Sequence, residues 1–228
     1  MGYKILLLDL DDTILDFGKG ERLALEEALR AAGLPFDEEL ARGYAMINDE
    51  CWRMLERGEI GKEELIVLRF KRFLDRYGLF ADAAALNGDY MERMSEKAIF
   101  LPGAEDFLKK AGKRLRLFLI TNGTAWVQEK RLLKAGLCGG FEGVFISERL
   151  GAKKPDALFF ERVAASIDGF SREETVVMGD SLSSDILGAE NYGLDAIWFN
   201  RKGRENDGTA TPAYTVSTYA EAEKILNV

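Results

Sequence analysis

The aliphatic run Tyr3-Lys4-Ile5-Leu6-Leu7-Leu8 leads directly into Asp9-Leu10-Asp11-Asp12-Thr13. A strand apolar on both faces is what the centre of a parallel sheet requires, because helices cover each side. In open α/β sheets, ligands bind just beyond the carboxyl ends of such strands. Here that end carries three acidic residues within four positions. In extended backbone, Asp9 and Asp11 point to the same side while Leu10 points away. Two like charges held together there call for a hard cation, or for a division of labour between nucleophile and acid/base. The same residues could also simply turn the chain and cap a following helix.

The rest of the chain must therefore supply a sheet. Its 228 residues, 47% hydrophobic and 31% charged, suffice for one large domain or two small ones. A net charge of −8 without long basic runs argues against a nucleic-acid polymer or a membrane surface as partner. With no signal-type or membrane-spanning segment and only Cys51 and Cys138, the expected setting is the cytoplasm, with both thiols packed as small hydrophobes. The absence of histidine excludes Ser-His-Asp and Cys-His catalysis and His-ligated zinc. Acid/base work then falls to carboxylates, lysine, tyrosine or cysteine.

From about Gly18 to Lys97 the apolar residues recur at helical spacing. Breaks at Gly33-Leu34-Pro35, Gly58-Glu59-Ile60-Gly61 and Tyr77-Gly78 divide this stretch into four amphipathic helices, which short connections make antiparallel. Beyond Leu101-Pro102-Gly103 the pattern becomes strand, loop, helix. Strands are expected at Leu115–Ile120, Gly143–Ile146, Thr175–Met178 and Ala196–Phe199, with a short edge strand at Tyr214–Val216. Right-handed crossovers between them imply a parallel sheet. The expected fold class is α/β: a Rossmann-like doubly wound parallel sheet formed by residues 1–16 and 98–228, with a four-helix insertion at 17–97.

Parallel strands place all their following loops along one edge. Those loops contain Asp9, Asp11, Thr121, Lys154, Asp180 and Asp185. Carboxylates, a hydroxyl and an ammonium gathered this way suit phosphoryl transfer, whose spreading negative charge needs donors and cations around it.

In these residues the chain resembles the haloacid dehalogenase superfamily, and within it the phosphatases with an α-helical cap inserted after the first strand. Asp9-x-Asp11-x-Thr13 matches the first motif, Thr121 the second, Lys154-Pro155 the third and Gly179-Asp180-x4-Asp185 the fourth. The resemblance implies that Asp9 attacks phosphorus and that Asp11 serves as general acid and then base. Thr121, with Asn122 and the amides that follow, would bind phosphate oxygens, and Lys154 would neutralise Asp9 and the phosphate. Asp9, Asp180 and the Asp11 backbone carbonyl would hold Mg²⁺, with Mn²⁺ as the substitute. Asp185 would bind a metal-bound water or orient Lys154.

Substrate choice in such proteins rests on the cap. The pattern Trp52-x5-Gly58-x-Ile60-x4-Leu65-x3-Arg69-Phe70 is similar to the pyrimidine or modified-nucleotide 5′-nucleotidase branch. A base would then stack on Phe17 or Trp52 and meet Arg69, although aromatics at this spacing also build bundle cores. The resemblance implies an enzyme acting on a small phosphorylated metabolite, as a monomer or a homodimer. The alternative is a sugar-phosphate or phosphoglycolate phosphatase. Less favoured are a 2-haloacid dehalogenase, which has no use for Asp11, a phosphonatase, a β-phosphoglucomutase and a non-catalytic binding module.

Overall fold

A computed structural model describes residues 2–228. They form two compact units, one made of the residues up to Asp16 with Phe100–Val228, the other of Phe17–Ile99.

The first unit begins with β1 (Ile5–Leu8). The second contributes α1 (Phe17–Ala31), α2 (Glu38–Glu56), α3 (Lys62–Tyr77) and α4 (Ala83–Ser95). The first unit then continues with α5 (Ala104–Ala111), β2 (Arg116–Thr121), α6 (Ala125–Lys134), β3 (Gly143–Ile146), α7 (Ser147–Leu150), α8 (Ala157–Ala165), β4 (Thr175–Gly179), α9 (Leu187–Tyr192), β5 (Asp195–Phe199), β6 (Tyr214–Val216) and α10 (Tyr219–Leu226). Six strands form one sheet in the order β3-β2-β1-β4-β5-β6. Every pairing is parallel.

Alternation along β1 explains how the sheet is held. Leu6 and Leu8 join Leu117, Leu119, Val176 and Met178 under Phe107 of α5 and Ala222 of α10. Ile5 and Leu7 join Phe118, Ile120 and Val177 against Phe159, Phe160 and Val163 of α8. Each fully buried side chain of this kind contributes about 1.5–3 kcal/mol relative to exposure. The two-sided burial is what the unbroken aliphatic run demands.

The strand order also fixes where function can sit. From β1 the chain builds outward to β2 and β3, then returns to place β4 on the other side of β1. Register pairs Leu8 with Leu119 of β2 and with Met178 of β4. Consequently Asp9, Thr121 and Asp180 emerge side by side at the switch point. Two short elements fall where the sequence suggested only loop: α7, and a single wide π-helical turn over Leu182–Ile186. Both are too short to leave a periodic signal.

In the second unit, α1 packs on α2 and α4, α2 on α3, and α3 on α4. Asp37 and Asp82 cap α2 and α4 by accepting from the Leu40 and Ala85 amides at 2.8 and 2.7 Å. The interior is aromatic: Tyr44 lies 4.9 Å from Phe70 and 5.5 Å from Tyr90 between ring centroids. It also contains charge. Arg69 is buried, donating from Nη1 to Asn48 Oδ1 at 3.0 Å and from Nη2 to Asn87 Oδ1 at 2.7 Å. Asn48 in turn donates to Glu21 Oε1 at 2.7 Å. The guanidinium ties three helices together.

Candidate active site

Lys154 is the central group. It is 2% exposed, and its Nζ donates to Asp9 Oδ1 at 2.7 Å, Asp185 Oδ1 at 2.6 Å and the Ile120 carbonyl at 3.2 Å. Burial alone would strip the lysine of its charge, but the two carboxylates outweigh it and hold its pKa above the ordinary lysine value. The loop that presents it is clamped by Asn122, whose Oδ1 accepts from the Lys154 N–H at 3.0 Å while Nδ2 donates to the Lys154 carbonyl at 2.8 Å. The Lys154-Pro155 peptide bond is cis.

Asp9 is anchored through its N–H to the Met178 carbonyl at 3.0 Å. Its carboxyl is pushed well above the ordinary range by burial and then by Asp185, against the pull of Lys154. Asp180 is pushed up to about 7 by burial, Asp185 and Asp12, with Arg204 and Lys202 opposing. Arg204 Nη2 reaches Asp180 Oδ2 at 2.9 Å and the Asp180 carbonyl at 2.6 Å. One oxygen each from Asp9, Asp180 and Asp185 lies within 4.8 Å of the others. Three carboxylates are met by Lys154 and, at Asp180, by Arg204, which leaves the cluster short of positive charge, and a hard divalent cation fits that donor set.

Both Asp185 oxygens accept a hydrogen bond. Oδ1 takes Lys154, and Oδ2 accepts from the Ser181 N–H at 3.1 Å. Gly179 permits this approach, since a Cβ there would overlap the Asp185 carboxyl. The contact to Lys154 is in place, and the same carboxylate is one of the three close enough to share an ion.

Asp11 is held from the opposite side. Arg131 Nη1 donates to Oδ1 at 2.6 Å, and Gln128 Nε2 donates to Oδ2 at 2.7 Å. Each Asp11 carboxylate oxygen thus accepts one N–H from α6. Gln128 Nε2 also donates to Thr121 Oγ1 at 2.9 Å, where the Gly123 N–H donates at 3.1 Å. A hydroxyl that accepts two N–H groups keeps its own hydrogen to offer an anion. The following amides are less free than expected: the Gly123 N–H turns back to Thr121, and the Ala125 N–H donates to Glu148 Oε2 at 2.8 Å.

Residues 3–193 match the haloacid dehalogenase-like hydrolase family. The chain belongs to it. Among relatives, it is 40% identical to the pyrimidine 5′-nucleotidase PynA of Streptococcus pneumoniae over 222 residues, 97% of this chain and 94% of that one. It is 29% identical to the pyrimidine 5′-nucleotidase YjjG of Escherichia coli over 99% of both chains. The HAD-hydrolase YfnB of Bacillus subtilis, solved with magnesium bound, superposes with a TM-score of 0.96 at 36% identity, each chain covered in full.

In this haloacid dehalogenase-like hydrolase, Asp9, Lys154 and Asp185 form one hydrogen-bonded group with Asp180 close by, and Asp11 and Thr121 form a second group through Gln128, both at one sheet edge. Asn122 stands beside them, its amide bonded to the Lys154 loop. The expected cap contacts lie in the helical unit. Phe17 opens α1 and is half-buried, while Trp52 packs against Cys51, Leu55 and Leu65 with Lys62 Nζ 5.5 Å from its ring centroid. Sequence reasoning missed Gln128 and Arg131. Their spacing of three on α6 puts both on one helix face, yet long polar side chains on a helix ordinarily read as solvated. Both are 1% exposed.

Proposed function

We propose that this hydrolase is a phosphomonoesterase that releases phosphate from nucleoside 5′-monophosphates. The observation that carries the chemistry is the buried Lys154 joining Asp9 to Asp185 beside a clamped Asp11. The 40% identity to a pyrimidine 5′-nucleotidase over nearly the whole length supports the substrate class.

In the proposed first step an Asp9 carboxylate oxygen attacks phosphorus, and the bond to the ester oxygen breaks. Asp11 gives its proton to that departing oxygen, so the nucleoside leaves as a neutral alcohol. Thr121 and Lys154 hold the charge on the transferred group, and removing one such donor typically costs ~10²–10³ in rate. In the second step Asp11 takes a proton from water as the water oxygen attacks the phosphoaspartate. Phosphate departs and the Asp9 carboxylate is restored.

Mg²⁺, or Mn²⁺ in its place, would be held by Asp9, Asp180 and the Asp11 carbonyl. When bound it supplies the positive charge the carboxylate cluster lacks and favours an ionised Asp9. The magnesium in the YfnB structure supports this choice of ion. Phe17 and Trp52 remain the proposed contacts for the leaving nucleoside, and the proposed setting is the cytoplasm.

The deciding experiment measures phosphate release from nucleoside monophosphates and sugar phosphates, with Mg²⁺ and with chelator. Metal-dependent preference for pyrimidine monophosphates is the expected result. Metal-dependent activity confined to sugar phosphates would retain the chemistry and reject the substrate class.

A further inference from the structure

Gln128 uses its whole amide. Arg131 Nη1 donates to its Oε1 at 2.8 Å, and because arginine can only donate, the opposite atom must be the nitrogen. One Nε2 hydrogen then goes to Asp11 Oδ2 and the other to Thr121 Oγ1. Arg131 Nη1 bridges Gln128 and Asp11 Oδ1. Gly123 leaves the room required, since a Cβ there would overlap the Gln128 amide. All five residues lie in the sheet-bearing unit.

We propose that Gln128 and Arg131 are positioning residues that fix the Asp11 carboxyl for proton transfer and tie it to the phosphate-binding hydroxyl of Thr121. The inference rests on the acid/base reading of Asp11. Neither side chain reaches the reacting atoms; both act through Asp11. Each carboxylate oxygen has a second lone-pair direction, so Asp11 can keep both N–H contacts while it carries a proton. A clamp from two sides removes the rotamer freedom that would otherwise let the acid swing away from the ester oxygen.

The role has a kinetic signature that a merely structural one lacks. An alkyl leaving group needs its proton from Asp11, whereas p-nitrophenolate departs without help. Water attack on the phosphoaspartate needs Asp11 for either substrate.

In Gln128→Met and Arg131→Met, kcat for the best alkyl phosphate should therefore fall by roughly 10²-fold, the low end of what general acid/base catalysis contributes. KM should stay within about threefold. With p-nitrophenyl phosphate, stopped-flow should show a burst of p-nitrophenolate equal to the enzyme concentration, followed by slow turnover. Arg131→Lys should recover part of the loss, since it restores a charged donor.

Equal losses on both substrates with no burst would overturn the proposal, as would wild-type kinetics in Gln128→Met. That variant is nearly isosteric and decides the matter if Arg131→Met does not fold. Asp11→Asn run in parallel separates the two levels. If it shows the leaving-group-dependent loss and Gln128→Met does not, the positioning role falls alone. If Asp11→Asn keeps wild-type rates on alkyl phosphates, the acid/base reading falls with it.

Discussion

Lys154 Nζ lies 2.6 Å from Asp185 Oδ1, and both side chains are nearly inaccessible, at 2% and 1%. A buried ammonium needs paired charge to exist at all, and taking one partner away typically costs about 3–5 kcal/mol. Asp185 and Asp9, the second partner at 2.7 Å, share this lysine, and in the proposed mechanism Asp185 stays as its counterion while Asp9 reacts.

Asp185→Asn should consequently lower both stability and turnover, because Lys154 would close onto Asp9 alone. We expect kcat to fall by roughly 10²-fold, in the range for loss of a transition-state donor. Asp9→Asn, by contrast, should abolish turnover while the protein stays folded, since the covalent route is gone. Phosphate release with circular dichroism as the folding control checks both. Wild-type rates in Asp9→Asn would reject the nucleophile assignment.

Gly179 gives a steric test of the same pair. Alanine at this position would drive a methyl into the Asp185 carboxyl. Overpacking of this kind costs about 1–3 kcal/mol. Gly179→Ala should therefore melt earlier and lose activity in the same direction as Asp185→Asn. An unchanged melting temperature would mean that Asp185 has room to move and is not a rigid counterion.

These tests concern residues that differ in how legible they were. The strands could be read because central parallel strands are apolar on both faces, as Ile5–Leu8 and Val176–Met178 are. Asp9, Thr121, Lys154 and Asp180 followed, since each stands at the end of such a run or in the loop after it. Gln128 and Arg131 did not, because a helix gives the same polar letters to a solvated face and to a buried clamp. The hydrogen bonds of Arg69 were not legible either, because its neighbours in space, Asn48 and Asn87, are distant in sequence and carry no pattern linking them to it.

Arg69 yields a prediction in the helical unit. Asn87→Ala removes the oxygen acceptor of Arg69 Nη2 and leaves that nitrogen only the weak acceptor Met91 Sδ at 3.1 Å, so one buried N–H goes unsatisfied at a cost of about 1–3 kcal/mol. The variant should melt several degrees lower, with KM for the preferred substrate unchanged. A raised KM without loss of stability would restore Arg69 as a substrate contact and overturn its structural role.

The carboxylate cluster should give the protein a stability that depends jointly on pH and metal. Asp180 has its pKa raised from an ordinary 3.8 to about 7, and Asp9 is also shifted up. A carboxyl with a raised folded-state pKa binds its proton more tightly folded than unfolded. Its stabilising effect is complete below the unfolded value and is lost as pH rises through the folded one. In chelator, the melting temperature should therefore decline between about pH 4 and pH 7, the interval those two Asp180 values define. A divalent cation binds the ionised carboxylates and so competes with protons for the same sites. Added Mg²⁺ should raise the melting temperature strongly at pH 8 and little at pH 5, flattening the profile. Thermal unfolding across pH with and without Mg²⁺ measures both. A profile that rises with pH in chelator, or a Mg²⁺ effect equal at the two pH values, would show that Asp180 is already ionised and compensated by Arg204 and Lys202.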